Sequence, residues 1–178
     1  MLHLATTEHL QGQQNSRGAP TGARFLLFLS EWQKLGAKAV IEQSMRLFWI
    51  DKQSKNRLMK LKAKREFYGN MEQVSKLREI VNQEFKDHVI EEVSNNQVLF
   101  YNLIFCVPKK KGKWRKILDC RIFNRPIQVQ SFKMEGVREI KDLLQQGDYA
   151  TSLDLHQAYH HIAVPIQIRP FLAFYFEK

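Results

Sequence analysis

Cysteine is nearly absent, with only Cys106 and Cys120 in 178 residues. Two thiols make neither a disulfide framework nor a zinc-ligand pattern. Both sit among apolar residues and are expected as reduced, buried thiols of an intracellular protein. Long apolar runs are missing too. The longest near the amino terminus, residues 25–29 (FLLFL), is too short for a membrane span or a signal peptide. No membrane partner is therefore expected. Acidic residues are few beside basic ones. The 18 Asp and Glu stand against 28 Lys and Arg, a formal net charge of +10. That imbalance points to a polyanionic partner.

What is present fits a globular chain, with 44% hydrophobic residues and 12 Phe. A chain of this length can bury about 70% of its unfolded surface in one compact domain. The positive charge is local. Residues 51–65 (DKQSKNRLMKLKAKR) carry seven Lys or Arg against one Asp, and residues 106–125 carry eight against Asp119. Such clustering suits a phosphate-facing groove, although the first run also reads as a solvated linker face.

Residues 1–23, rich in Gln, Gly and Thr, read as a flexible lead-in. Apolar residues at 25, 28, 29 and 32 predict a helix over 24–34, which Gly36 can end. Residues 37–50 predict helix running into extended chain, and residues 52–68 show no apolar face. The clearest helix spans 71–93, with Met71, Val74, Leu77, Val81, Phe85 and Val89 on one stripe. Residues 103–107 and 114–118 read as strands joined by the Gly-containing turn 109–113, a β-hairpin. A helix over 135–146 would turn Met134, Val137, Ile140 and Leu144 inward and stop at Gly147. Strands are expected over 149–155 and 171–176. No internal repeat is visible.

Two stretches carry chemistry. Residues 107–124 (VPKKKGKWRKILDCRIFN) place lysines at a hairpin tip, where Gly112 allows the turn, and Arg115 on the return strand. Compact ammonium groups together with a planar guanidinium fork suit the oxygens of a triphosphate. An exposed basic turn that merely protects a sheet edge is the simpler reading of the lysines alone. Residues 152–161 (SLDLHQAYHH) end an apolar strand on one carboxylate, Asp154, with Tyr159 five residues later. A lone Asp at a strand end is commonly a cap. It could instead bind a hard cation such as Mg²⁺, with the backbone carbonyl of Leu155 as a second oxygen ligand. His160 and His161 lack the second cluster that a zinc site would need.

In type, spacing and order, these two stretches resemble the fingers and the first catalytic motif of reverse transcriptases of retrotransposons. Trp114, Arg115, Asp119, Arg121 and Asn124 carry the first likeness, and the Leu-Asp-Leu-x-x-Ala-Tyr context the second. The likeness runs from about residue 89 to 176. More weakly, residues 22–51 and the helix at 71–93 resemble the region before the polymerase in DIRS-like and related LTR-type elements. The resemblance implies an α+β fold, a partial polymerase right hand with a fingers β-hairpin and helices plus the start of the palm sheet. It divides the chain into a lead-in (1–23), a helical, basic pre-polymerase region (24–70), and fingers with the opening of the palm (71–178).

The resemblance also implies roles. Lys109 or Lys110 (the equivalence within 109–111 is left open) and Arg115 would contact an incoming deoxynucleoside triphosphate. Asp119 and Arg121 would lie near template nucleotides. Asp154, with the Leu155 carbonyl, would hold metal, two Mg²⁺ ions serving the complete enzyme. Tyr159 would lie under the sugar and disfavour a ribose 2′-OH. His156 and Gln157 depart from the charged residues often found there. RNA or DNA template–primer is the implied partner. No Asp-Asp dipeptide occurs in the sequence, so the chain is expected to be a fragment truncated before that motif and inactive alone. A non-catalytic nucleic-acid-binding module and a decayed reading frame are the alternatives. With the central partner of its palm strand absent, the fragment is expected to self-associate through an exposed sheet edge.

Overall fold

The computed structural model describes residues 2–4, 21–43, 46–131, 133–134 and 136–176. Strand β1 is Leu2–Leu4, and short helices follow at Leu29–Lys34 (α1), Lys38–Gln43 (α2) and Ser54–Lys60 (α3). The long helix α4 is Met71–Lys86. Strands β2 (Ile90–Glu92), β3 (Tyr101–Pro108) and β4 (Trp114–Asp119) come next, then α5 (Arg121–Asn124), α6 (Val137–Leu143) and β5 (Ala173–Phe174). The five strands form one sheet in the order β2-β1-β5-β3-β4. All pairings are antiparallel except β3 with β5. The α+β class expected from the sequence is what the chain adopts.

Helix α4 starts on a reciprocal cap. The Gln73 amide donates to Asn70 Oδ1 at 2.8 Å, and the Asn70 amide donates to Gln73 Oε1 at 3.0 Å. Its inner face is narrower than the apolar stripe suggests. Leu77 and Val81 are buried, whereas Met71 is 92% exposed and Phe85 45%. The helix also stops at Lys86 rather than running to 93. His88 adopts a left-handed φ of 52°, which turns the chain so that Val89 and Ile90 enter the sheet. Leu77, Val81, Val89 and Ile90 pack with Ile104, Cys106 and Phe174. A second cluster gathers Leu58, Phe100, Phe123, Ile168, Phe171 and Leu172. Leu58, 2% exposed, thus gives residues 52–68 an apolar face that their sequence does not advertise.

Other elements also depart from the expected pattern. Leu2–Leu4 is a strand, inserted between β2 and β5, while residues 5–20 of the expected lead-in lie outside the described residues. The helix expected over 135–146 is confined to α6, and Glu135 lies outside the described residues. Met134, Val137, Ile140 and Leu144 are all exposed because no described element covers that stripe. Gly147, at φ +95°, lies beyond the helix end instead of capping it. Residues 149–155 form no strand. A strand needs a neighbour to take its N–H and C=O groups, and these residues have none among those described. The strand expected over 171–176 shrinks to β5, preceded by a 3-10 turn at Arg169–Phe171. Phe171, Leu172 and Phe174 are buried. The sheet edges therefore are β2 and β4, and the apolar strand expected to drive edge pairing is not part of the ladder.

Asn102 shows how β5 is seated. Its side-chain amide donates to the Phe171 carbonyl at 2.8 Å and the Ala173 carbonyl at 3.2 Å. Both cysteines are free, Cys106 buried and Cys120 partly so, and burial raises both thiol pKa values, that of Cys120 to about 11. Among the described residues no helix is long and apolar enough to cross a membrane.

Candidate nucleic-acid interface

The hairpin is closed by the sequence that predicts it. β3 and β4 pair from Leu103↔Asp119 to Pro108↔Trp114. The Lys109 amide donates to the Lys113 carbonyl at 2.6 Å, and Gly112 takes the φ of +69° the turn requires. Lys109, Lys110 and Lys113 are exposed at the tip. Side chains alternate along β4. Trp114, Lys116 and Leu118 face α4 or are partly buried, whereas Arg115 is exposed on the opposite face. Asp119 shares the parity of Arg115, and four residues of strand set them about 13 Å apart. Tip, Arg115 and Asp119 thus lie along one face.

At the end of that face Asp119 and Arg121 form a two-bond fork. Arg121 Nε donates to Asp119 Oδ1 at 2.8 Å, and an Nη donates to Oδ2 at 2.7 Å. The Arg121 amide adds a third bond at 3.1 Å. The hydrogen bond from the Arg121 guanidinium, then that from its amide, holds the Asp119 carboxyl down at about 2, from 3.8. Asp119 is spent on Arg121, while the Arg121 side chain remains 85% exposed. A guanidinium oriented by a carboxylate and open to solvent can donate its free N–H groups to phosphate oxygens.

The root of the hairpin is fixed by a pair that the sequence reading did not single out. Lys116 and Glu84 of α4 form an ion pair whose side chains are each only 8% exposed. The Lys116 ammonium also stands 5.0 Å from the Phe174 ring centroid. One lysine therefore ties β4 to α4 and to β5. Glu84 falls three residues after Val81 on the inner face of α4, which is the signal that could have marked it.

Asp154 is exposed in the unpaired stretch before the 3-10 turn Ala158–His161. Its side chain has no hydrogen bond or ion pair among the described residues. Tyr159, on that turn, is 89% exposed. The turn itself is docked: the Ala23 amide donates to the His160 carbonyl at 2.8 Å, and Phe25 stacks on His161 with centroids 5.2 Å apart. Burial lowers the His160 pKa, opposed in part by the negative charge of Glu84. Gly22 lets the chain leading into Ala23 pass close to the turn after α4, since a Cβ there would lie 2.0 Å from the His88 carbonyl oxygen. Among the described residues no three His, Cys, Asp or Glu side chains gather to hold a metal ion. Asp154 and the Leu155 carbonyl have the right oxygen chemistry for Mg²⁺ but are too few to complete a two-ion centre.

Residues 107–178 match the family described as reverse transcriptase (RNA-dependent DNA polymerase). The Pol polyprotein of equine infectious anemia virus (isolate 1369) is 30% identical over 153 residues, covering 80% of this chain and 12% of its own length. The strain Wyoming counterpart is 29% identical over the same coverage. The retrovirus-related Pol polyprotein from transposon 412 of Drosophila melanogaster is 31% identical over 97 residues, 51% of this chain and 8% of that protein. The chain thus spans about an eighth or less of the curated relatives it matches. No solved structure matches it significantly.

Proposed function

Because the chain carries a reverse transcriptase segment of the kind found in retroelement Pol polyproteins, we propose that it holds template and incoming deoxynucleotide for RNA-directed DNA synthesis. The observation that carries this reading is the single basic face of the hairpin, running from the lysine tip past Arg115 to the Asp119–Arg121 fork. The tip lysines, Lys109 or Lys110, and Arg115 meet the triphosphate, whose charge is spread over several oxygens. The fork end meets the template backbone. Tyr159, exposed on its turn, lies under the sugar and screens against a 2′-OH.

Asp154, with the Leu155 carbonyl, would offer oxygen ligands to a divalent ion, and such an ion would supply charge neutralisation for phosphate oxygens. The described residues do not complete that centre, so the work assigned to this chain is positioning. Primer extension then requires carboxylates from beyond the described residues.

Binding to a primer–template duplex tests the reading. If about six phosphates are neutralised, affinity falls roughly a thousandfold between 50 and 200 mM salt. Replacing Lys109, Lys110 and Arg115 together by Ala should flatten that dependence. A slope untouched by the triple substitution removes the hairpin from the binding surface.

A further inference from the structure

The hairpin face leaves the upstream basic run unexplained. After α3 the chain crosses the end of the sheet and is held there by two contacts. Lys62 donates to the Asn95 carbonyl at 2.9 Å, and Lys64 lies 4.6 Å over the Tyr175 ring. Arg65 follows, its guanidinium carbon 5.8 Å over the Phe100 ring. There it meets the fork. A cavity of about 380 Å³ is lined by Arg65, Asn102, Asp119, Arg121 and Arg125 over an apolar floor.

Three guanidinium groups face one carboxylate in this cavity, and that carboxylate is committed to Arg121 through both oxygens. Among the described residues neither Arg65 nor Arg125 has a carboxylate within ion-pair distance. Arg65 Nε is buried without a hydrogen-bond partner among the described residues, as is Asn102 Oδ1. A buried donor left unmade is costly, more so on a charged group. A net positive cavity lined by three guanidinium groups suits an anion bearing several acceptor oxygens.

We propose that this cavity holds a backbone phosphate of a single-stranded nucleic acid, with Arg65 as the residue that completes it. Continuity favours a strand over a free anion, because the cavity opens at the fork end of the face already carrying Arg115 and the lysine tip. Arg65 lies upstream of the residues that match the family, so the pre-polymerase segment supplies part of the template track. This rests on the function proposed above and deepens it.

The test uses the full 178-residue chain and a fluorescein-labelled single-stranded RNA 20-mer, with anisotropy read from 50 to 200 mM KCl. Arg65→Ala should weaken binding about tenfold at 50 mM salt. It should also lower the salt slope by about 0.7, one single-strand phosphate. Arg65→Lys, which keeps the charge and loses the fork, should restore the slope but not the full affinity. Lys34→Ala, a lysine paired with Glu31 on α1, should leave the slope unchanged. Should Arg65→Ala lower the melting temperature, Arg125→Ala reads the same cavity from a different element. A wild-type slope in both Arg65→Ala and Arg125→Ala overturns the cavity while leaving the hairpin reading intact. A wild-type chain with no salt-dependent binding overturns both.

Discussion

The hairpin of β3 and β4 and the stretch from 129 to 157 each carry one motif, and the chain holds them in opposite ways. Ile104 and Cys106 of β3 are buried against α4, and Lys116 of β4 reaches Glu84 through the core. Between 129 and 157, by contrast, the described residues are exposed except for partly buried Glu139. Tyr149 is 100% exposed and Leu153 90%. The difference lies in where each motif's partners are in the sequence. The hairpin pairs with itself across a short turn, and its covering helix is close behind, so local chain closes it cheaply. The carboxylate stretch needs a neighbour for its backbone groups and a cover for Leu153 and Leu155, and none of the described residues supplies either. The cationic groups of the hairpin are consequently preorganised, whereas Asp154 is not.

The largest effect should appear in local opening. Backbone amides of 149–155 should exchange at near-unprotected rates, while those of 103–107 exchange only through global unfolding. Even about 5 kcal/mol of stability separates such classes by more than a thousandfold. Trypsin should accordingly cut first at Arg138 or Lys141, both exposed. Equal protection of the two stretches, by mass-resolved hydrogen exchange, would erase the contrast.

Next in size is the root of the hairpin. Glu84→Leu strands the Lys116 ammonium in a site only 8% exposed, and loss of one buried partner costs about 3–5 kcal/mol. Adding Lys116→Met removes the orphaned charge and should recover most of that loss. Asp142→Ala on exposed α6, in the other region, should stay within about 0.5 kcal/mol. Urea denaturation of the three variants decides it. A double variant no more stable than Glu84→Leu would show that the pair is not coupled.

The same contrast governs what could be read in advance. Residues 107–124 announce a hairpin because alternation, Gly112 and the lysine turn all concern neighbours in sequence, and β3 and β4 form within a residue or two of expectation. The Asp119–Arg121 fork follows from an i, i+2 spacing. Residues 149–155 stay irregular because their apolar residues specify a strand only if a partner strand arrives. The helix within 135–146 shrinks to α6 for the same reason, an apolar stripe with nothing to face among the described residues. Arg65 and Arg125 were hidden because their meeting with Asp119 depends on how the upstream segment crosses the sheet. That path is set by Trp49 bridging to Ile127 and by Leu58 entering the core with Phe100 and Phe123.

The smallest predicted effect belongs to the fork, which sits at the rim of the preorganised region. Asp119 is held at about 2, below its usual 3.8, chiefly by the hydrogen bond from Arg121. A depressed carboxylate stabilises the folded state fully above the unfolded value, and that contribution disappears as pH falls from near 3.8 toward 2. Because the Arg121 side chain is 85% exposed, solvent screens the pair and the contribution should remain below about 1 kcal/mol. Asp51 and Glu139 are lowered as well, each mainly by a hydrogen bond from Arg57 or Lys133, so the acid sensitivity of the wild type alone does not isolate Asp119. The difference between wild type and Asp119→Asn does. The urea midpoints of wild type and variant should draw together as pH falls from about 5 to about 1.5, the variant being clearly the less stable at about pH 5. Arg121→Ala should reproduce the same convergence, since the fork needs both members. Parallel pH profiles for wild type and Asp119→Asn would mean that the fork orients Arg121 without stabilising the fold.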